Sequence, residues 1–299
     1  MPTETVYGLA ADAENELAVR RVFAVKGRPS THPLIVHVGS TEAARSWVQR
    51  FPPLAERLAE AFWPGPLTLV LERSPRASDA VTGGQGTLAL RVPRHPLALE
   101  LLREFGGGLA APSANRFGRV SPTRAEHVRA DLGDDVELIL DGGPAEVGVE
   151  STIVDLTSPS PVLLRPGGVA REDLERVLGG PLVAAEHSTV RAPGMLAAHY
   201  APRTGVVVVR AEEVAGQVRG LLEAGIRVAV LGPESLAIPK GVKRLTVPQD
   251  PAALARGLYS LLRELDTLDV DVGVMTLPSR EGLGLAIADR ILRAAASRP

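Results

Sequence analysis

Strand-like and helix-like patterns alternate along this chain in two series, one on each side of a break rich in proline and glycine, and that alternation constrains the fold to a layered α/β architecture. In the first series, residues 34–38, 67–71, 87–92, 137–140, 152–155 and 162–164 are β-branched or apolar runs of strand length. Residues 41–50, 53–62, 95–105, 123–132 and 171–178 carry apolar side chains at helical spacing, and Pro53 suits a first helical turn. The break covers residues 179–202. Beyond it, strands at 206–209, 227–231 and 272–276 alternate with helices at 212–223, 251–265 and 283–296, which predicts a small parallel, Rossmann-like sheet. A chain of 299 residues exceeds what one core comfortably serves, so the two series are expected to be two domains.

Composition narrows the function. Hydrophobic residues make up 45% and charged residues 23%, as in ordered globular proteins. With a net charge of -2 there is no globally basic surface, so any phosphate or nucleic-acid contact must come from a local cluster of Lys and Arg. The absence of cysteine removes disulfides, thiolate metal sites and thiol nucleophiles. The N-terminal residues are acidic and lack the pattern of a secretory signal, and no run approaches the roughly 18 apolar residues of a spanning helix. A cytoplasmic protein without membrane contact is expected.

The segment densest in chemistry is Lys26-Gly27-Arg28-Pro29-Ser30-Thr31-His32-Pro33, which leaves a helix and enters the strand ending near His37. Arg28 could fork onto phosphate oxygens with Lys26 as a mobile charge, and the same residues also suit a solvated helix C-terminus. Ser113-Ala114-Asn115, with Ser121, offers small polar groups to a nucleotide, or else an Asx or Ser turn ahead of the helix at Thr123. Arg91 and Arg165 stand at strand ends, where they could meet a carboxylate and a phosphate; each alone could equally be a surface arginine. Asp266, Asp269 and Asp271 lack the glycine turn and distal glutamate of a calcium loop, and Gly282-Leu283-Gly284 lacks the third glycine of a dinucleotide fingerprint. His95, His127 and His187 have no partner at ligand spacing.

Taken together, the motifs resemble the threonylcarbamoyl-adenylate synthase family in its longer two-domain form. Pro2-Thr3-Glu4-Thr5-Val6-Tyr7-Gly8-Leu9 is similar to the family's opening motif, and Lys26-x-Arg28 with Ser113-x-Asn115 to its paired signature. Phe62-Trp63-Pro64-Gly65-Pro66-Leu67-Thr68 and Glu150-Ser151-Thr152-Ile153 resemble further blocks. So do Ala192-Pro193-Gly194-Met195 with His199-Tyr200-Ala201-Pro202, and the stretch from Gly282 to Arg290.

The resemblance implies a twisted mixed-sheet YrdC-like catalytic domain at 1–180, a linker at 181–203 and a small Rossmann-like parallel-sheet domain at 204–299. It implies a nucleotidyltransferase that makes threonylcarbamoyl-AMP and pyrophosphate from L-threonine, bicarbonate or carbon dioxide, and ATP with Mg2+. The product would pass to the machinery that forms threonylcarbamoyladenosine in tRNA. By that analogy Lys26 and Arg28 are catalytic, and Lys26, Arg28, His32, Thr87, Ser113, Asn115, Ser121, Arg165 and Tyr200 bind ATP. Thr5, His37, Arg91, Ala111 and Ser151 bind threonine, and no protein ligand to a metal is implied. His199 and Tyr200 are expected to lid the site.

Two departures from the family pattern stand out. Relatives carry a helix and a strand ahead of the opening motif, which here begins at Met1-Pro2, so the expectation is a start placed late or a sheet lacking an edge element. Leu196-Ala197-Ala198 stand where relatives have basic or aromatic residues. The alternative function is an RNA-binding module, with a weak tRNA contact, that uses Lys26, Arg28, Arg91, Arg94 and Arg165 without catalysis. Carbamoyl transfer to another acceptor is a third reading, disfavoured by the second domain.

Overall fold

The computed structural model describes residues 1–296, except the side chain of His187, which lies outside the described part. The chain divides into two compact units, one made of Met1–Phe117 and Ser121–Met195, the other of Gly118–Val120 and the residues from Leu196 onward.

In the first unit the order is β1 (Ala11–Asp12), α1 (Glu16–Lys26), β2 (Ile35–His37), α2 (Thr41–Arg45), α3 (Pro53–Phe62), β3 (Leu67–Glu72), α4 (Asp79–Thr82), β4 (Thr87–Arg91), α5 (Pro96–Phe105), β5 (Leu109–Ala110), α6 (Ala125–Leu132), β6 (Thr152–Asp155), β7 (Val162–Arg165), α7 (Arg171–Leu178) and β8 (Val183–Ala184). The eight strands form one mixed sheet in the order β1-β5-β2-β4-β3-β6-β7-β8. Helix α1 starts where Asn15 caps the Leu17 and Ala18 amides, and it ends at Gly27, whose φ of 64° a side chain would resist. That left-handed turn swings the chain from Lys26 into the loop carrying Arg28 and His32.

Two expected elements differ. The helix expected over 41–50 stops at Arg45, because Val48 bridges to Arg73 and the Gln49 N–H bonds to the Glu72 carbonyl, so the backbone there extends the sheet. The apolar run at 137–140 forms no strand. Val136 and Ile139 instead pack on a cluster of Tyr7, Ala114 and Val128, while Leu138 is 75% exposed. The hydrophobic demand of the run is thus met by side-chain burial without a ladder.

The pleat gives the sheet a two-toned face. Ala89 lies opposite Ile35 on one side and Val70 on the other, and with Ile153 and Val162 these residues form an apolar floor. Val183, Val190, Ala192 and Met195 pack against that floor, so the segment after α7 runs as a strap across the sheet and belongs to the first unit. Ser188 Oγ ties it down at 3.0 Å from Asp155 Oδ2, and Gln85 Oε1 accepts the Arg191 N–H at 2.8 Å.

The second unit contains β9 (Gly205–Val208), α8 (Val214–Glu223), β10 (Val228–Gly232), β11 (Lys243–Thr246), α9 (Pro251–Leu265), β12 (Val272–Met275) and α10 (Leu283–Ala295). Its sheet is wholly parallel, in the order β11-β10-β12-β9. Val214 and Val218 of α8 cover the face carrying Val228, Val230, Val272 and Val274. On the other face Gly273 leaves room for Leu265 of α9. Strand β11 has no counterpart in the sequence reading; it is an edge strand with exposed ends and one buried residue, Leu245. The acidic trio has structural employment: Asp266 accepts the Arg203 and Thr204 N–H groups, and Asp269 and Asp271 pair with Arg227.

Candidate active site

Strand direction collects polar residues at one end of the mixed sheet. Strands β2 and β4 are parallel and finish side by side at His37 and Arg91. Because β3 is antiparallel to β4, and β6 parallel to β3, both begin at that end, with Thr68 one residue into β3 and Ser151 just ahead of β6. Strand β7 returns antiparallel and brings Arg165 opposite Ile153. Residues far apart in sequence therefore share one edge because of topology.

The opening segment closes over this edge. Arg91, which is 3% exposed, gives its Nε–H to the Gly65 carbonyl at 3.1 Å and an Nη1–H to Thr5 Oγ1 at 2.8 Å, and its Nη2 lies 2.7 Å from Glu4 Oε1. Burial alone would raise the Glu4 carboxyl, but the Arg91 guanidinium together with the Glu4 and Arg94 backbone N–H groups outweighs it and holds the group below the ordinary value. Burial first, and the Arg91 charge second, push His37 down to about 3, so its imidazole is neutral. Its Nδ1 is buried without a hydrogen-bond partner.

Next to this group, Thr68 Oγ1 and Ser151 Oγ lie 2.7 Å apart, and Arg165 donates to the Ser151 carbonyl at 2.8 Å, to Ser151 Oγ at 3.2 Å and to the Pro193 carbonyl of the strap at 2.9 Å. Gly167 permits this packing, since a Cβ there would collide with the backbone of Glu150 to Thr152. Ser121 Oγ donates to Glu150 Oε1 at 2.7 Å.

The cationic group lies beyond the opening segment. Gly8 bridges to Ser113 and the Ala114 N–H bonds to the Tyr7 carbonyl, so the segment runs alongside residues 113–115. Lys26 Nζ, 3% exposed, donates to the Ser113 and Asn115 carbonyls, the latter at 2.7 Å. Burial, then the neighbouring Arg28 charge, lowers the ammonium well below its ordinary value, with Asp131 opposing. Arg28 donates to the Pro33 carbonyl at 2.8 Å. His32 sits edge-on to Phe117 at 5.7 Å and is lowered by burial and by Arg28 and Arg191.

Three more of the expected residues have defined surroundings. Thr87 opens β4 opposite Glu72, about 13 Å along the strand from Arg91 and toward the Pro33 side. Ala111 already gives its N–H to the Ile35 carbonyl. Tyr200 belongs to the second unit, where it holds a φ of 62°, stacks on Tyr259 at 5.8 Å and lies under the Arg290 guanidinium at 5.0 Å. Sequence reasoning gave no role to Glu4, Thr68, Glu150 or Arg191. The first three fall inside motif blocks already quoted.

Residues 1–167 match the family model described as "Telomere recombination", and residues 169–296 the model described as "Threonylcarbamoyl-AMP synthase, C-terminal domain". Threonylcarbamoyl-AMP synthase of Pyrococcus abyssi is 42% identical, covering 99% of this chain and 90% of the relative; that of Bacillus subtilis is 41% identical, with 99% and 89% covered. The crystal structure of P. abyssi Sua5 complexed with L-threonine superposes with a TM-score of 0.92 at 41% identity, over 98% of this chain and 89% of that one. Matched along both units, the chain belongs to the threonylcarbamoyl-AMP synthase family in its two-domain form.

Proposed function

We propose that this protein joins L-threonine, carbon dioxide or bicarbonate, and ATP into threonylcarbamoyl-AMP and pyrophosphate. The observation that carries the reading is the junction of two unlike polar groups by one segment: Thr5, His37, Arg91 and Ser151 at the sheet end, and Lys26, Arg28, Ser113 and Asn115 alongside. The first group has the donors and acceptors to hold a small hydroxylated amino acid. The second concentrates cations where a triphosphate needs them. The names of the relatives and the threonine-bound structure point the same way.

Threonine's amine adds to carbon dioxide, and a carbamate oxygen attacks the α-phosphorus of ATP as pyrophosphate leaves. No protein nucleophile takes part, so this chain's work is orientation and charge neutralisation. Burial lowers the Lys26 ammonium, and an arriving triphosphate would oppose that shift, because an anion beside an ammonium favours its charged form. Arg28, His32 and Arg165 complete the phosphate and nucleotide contacts with Thr87 and Ser121. Neutral His37 and Thr5 accept from the amine or hydroxyl of threonine.

Magnesium enters as the MgATP substrate and spreads phosphate charge. Glu4 and Glu150 are engaged by Arg91 and Ser121. The labile product passes to the tRNA-modifying transfer machinery in the cytoplasm. No helix among the described residues is long and apolar enough to cross a membrane. RNA docking ranks second, since Lys26, Arg28, Arg91 and Arg165 are buried and of that set Arg94 alone is exposed.

Pyrophosphate release from ATP tests the reading. Release should require threonine and bicarbonate together, and 2-aminobutyrate, which lacks the hydroxyl, should lower kcat/KM at least about tenfold. Release that persists without threonine overturns it.

A further inference from the structure

We infer that Glu4 and Thr3 are positioning residues for the amino-acid substrate: Glu4 locks Arg91, Thr3 sets the direction of the Thr5 hydroxyl, and together they make Thr5 Oγ1 a hydrogen-bond acceptor toward threonine. The inference rests on the proposed function and adds two residues that touch no substrate.

Glu4 is 1% exposed; its Oε1 forms an ion pair with Arg91 Nη2 at 2.7 Å without hydrogen-bond geometry, and its Oε2 accepts the Arg94 N–H at 3.1 Å. The Glu4 carbonyl accepts the Val147 N–H at 2.7 Å, so its backbone is pinned as well. Arg91 is thereby gripped from three directions, by Glu4, by the Gly65 carbonyl and by Thr5 Oγ1. An arginine has five N–H groups; hydrogen bonds use two of them, to Gly65 and Thr5, and the ion pair with Glu4 helps fix the plane of the guanidinium, which leaves N–H groups for a ligand.

The polarity of Thr5 follows from counting protons. A hydroxyl has one proton and two lone pairs. Thr3 donates its proton to the Val6 carbonyl at 2.6 Å. Thr3 Oγ1 also accepts the Thr5 and Val6 N–H groups at 3.2 Å, and it lies closer still, at 2.9 Å, to Thr5 Oγ1; with the Thr3 proton committed, the proton in that shorter contact comes from Thr5, which shares the Thr3 lone pairs with the two amides. Arg91 occupies one lone pair of Thr5 Oγ1 at 2.8 Å. One lone pair is left, and it welcomes a substrate N–H or O–H and repels a substrate carbonyl or carboxylate oxygen. The neutral His37 imidazole lies in register with Arg91 at the same place. The arrangement discriminates by polarity between the donor end and the carboxylate end of an amino acid.

Two substitutions probe the relay. In Glu4→Gln a single amide oxygen replaces two acceptor oxygens, so an NH2 must face either Arg91 or the Arg94 N–H and one bond becomes a donor–donor contact. In Thr3→Val the acceptor for the Thr5 proton is lost together with the bonds Thr3 makes to the Thr5 N–H and to the Val6 N–H and carbonyl, and the Thr5 proton is freed to point at the substrate. With the full chain and pyrophosphate release as readout, each variant should raise the threonine KM about tenfold while the ATP KM and kcat stay within about twofold. Thr3→Ser should restore the parent value, a rescue that a loss of general packing would not allow. If Glu4→Gln fails to fold, Thr3→Val carries the same test. A threonine KM within about twofold of the parent, or threonine and ATP KM values that rise together, overturns the inference. A parent enzyme without threonine-dependent release overturns the proposed function itself, which keeps the two failures apart.

Discussion

The first unit buries Glu4, Lys26, Arg28, His37, Arg91 and Arg165 within one sheet and its loops, whereas in the second the buried polar side chains among the described residues are His199 and Arg290. Both units are α/β and both have tight apolar cores, so the contrast is not one of fold class. It comes from topology. The wholly parallel sheet of the second unit has helices on both faces and valine-rich strands, the pattern expected of a sheet buried on both sides. The mixed sheet of the first unit has short strands that run both ways, so strand starts and strand ends meet at one edge and deliver polar side chains there. Taking these charges out of water is costly, which a structural scaffold has no reason to accept. The second unit carries far less of that burden, with Arg290 paired to Asp289 as its buried cation among the described residues.

The sharpest way to break this comparison is to delete a buried cation. Lys26→Met keeps the length of the side chain and removes its charge, and it should lower kcat/KM by 10²–10³-fold, about 2.7–4 kcal/mol of transition-state stabilisation. Unchanged kcat/KM would mean that the buried ammonium is a structural clasp for the Ser113 and Asn115 carbonyls and nothing more. The opposite experiment belongs to the second unit. Leu258, fully buried in α9, should cost about 3 kcal/mol of stability as Leu258→Ala, seen in denaturant unfolding, while kcat/KM of the folded enzyme stays within about twofold. A large kinetic loss in that variant would dissolve the division of labour.

These contrasts also mark what the sequence could reveal. The strands at 67–71, 87–92, 152–155 and 162–164 appear within a residue or two of their expected places, because buried runs of β-branched and aliphatic residues bounded by Pro, Gly or Ser have few other uses. The paired strands Ala11–Asp12 and Leu109–Ala110 were invisible, since two residues carry no period. Edge strand β11 was equally silent: Lys243-Arg244-Leu245-Thr246 holds one apolar residue, and its partner is distant in sequence. In the site, Lys26, Arg28, Ser113 and Asn115 were legible as a motif. The Glu4–Arg91 pair was not, because an ion pair spanning the opening segment and β4 exists only after the sheet has formed. The two faces of β4 were likewise unreadable: all of its residues are small, aliphatic or cationic, and only the register shows Arg91 continuing the line of the apolar Ala89.

The mildest test uses acid, and it reports on His37 alone. In the folded protein this imidazole stays neutral down to about pH 3, held there by burial and by Arg91. In the unfolded chain it takes up a proton near pH 6.5. Between those values the unfolded state binds more protons, so stability falls as pH falls, by about 1.4 kcal/mol per unit for this one group, and above pH 6.5 the group contributes no slope. His32 is shifted the same way, and Glu4 and other depressed carboxyls add acid lability at lower pH, so the quantity to measure is the difference between variant and parent. His37→Gln lacks the titrating group, and its stability relative to the parent should therefore improve as pH drops from 6.5, reaching about 2 kcal/mol at pH 5 whatever offset it has at neutral pH. A pH-independent difference would mean that the imidazole can be charged beside Arg91 without penalty. The edge of the mixed sheet would then be as well hydrated as an ordinary surface, and the electrostatic half of the contrast between the two units would be lost.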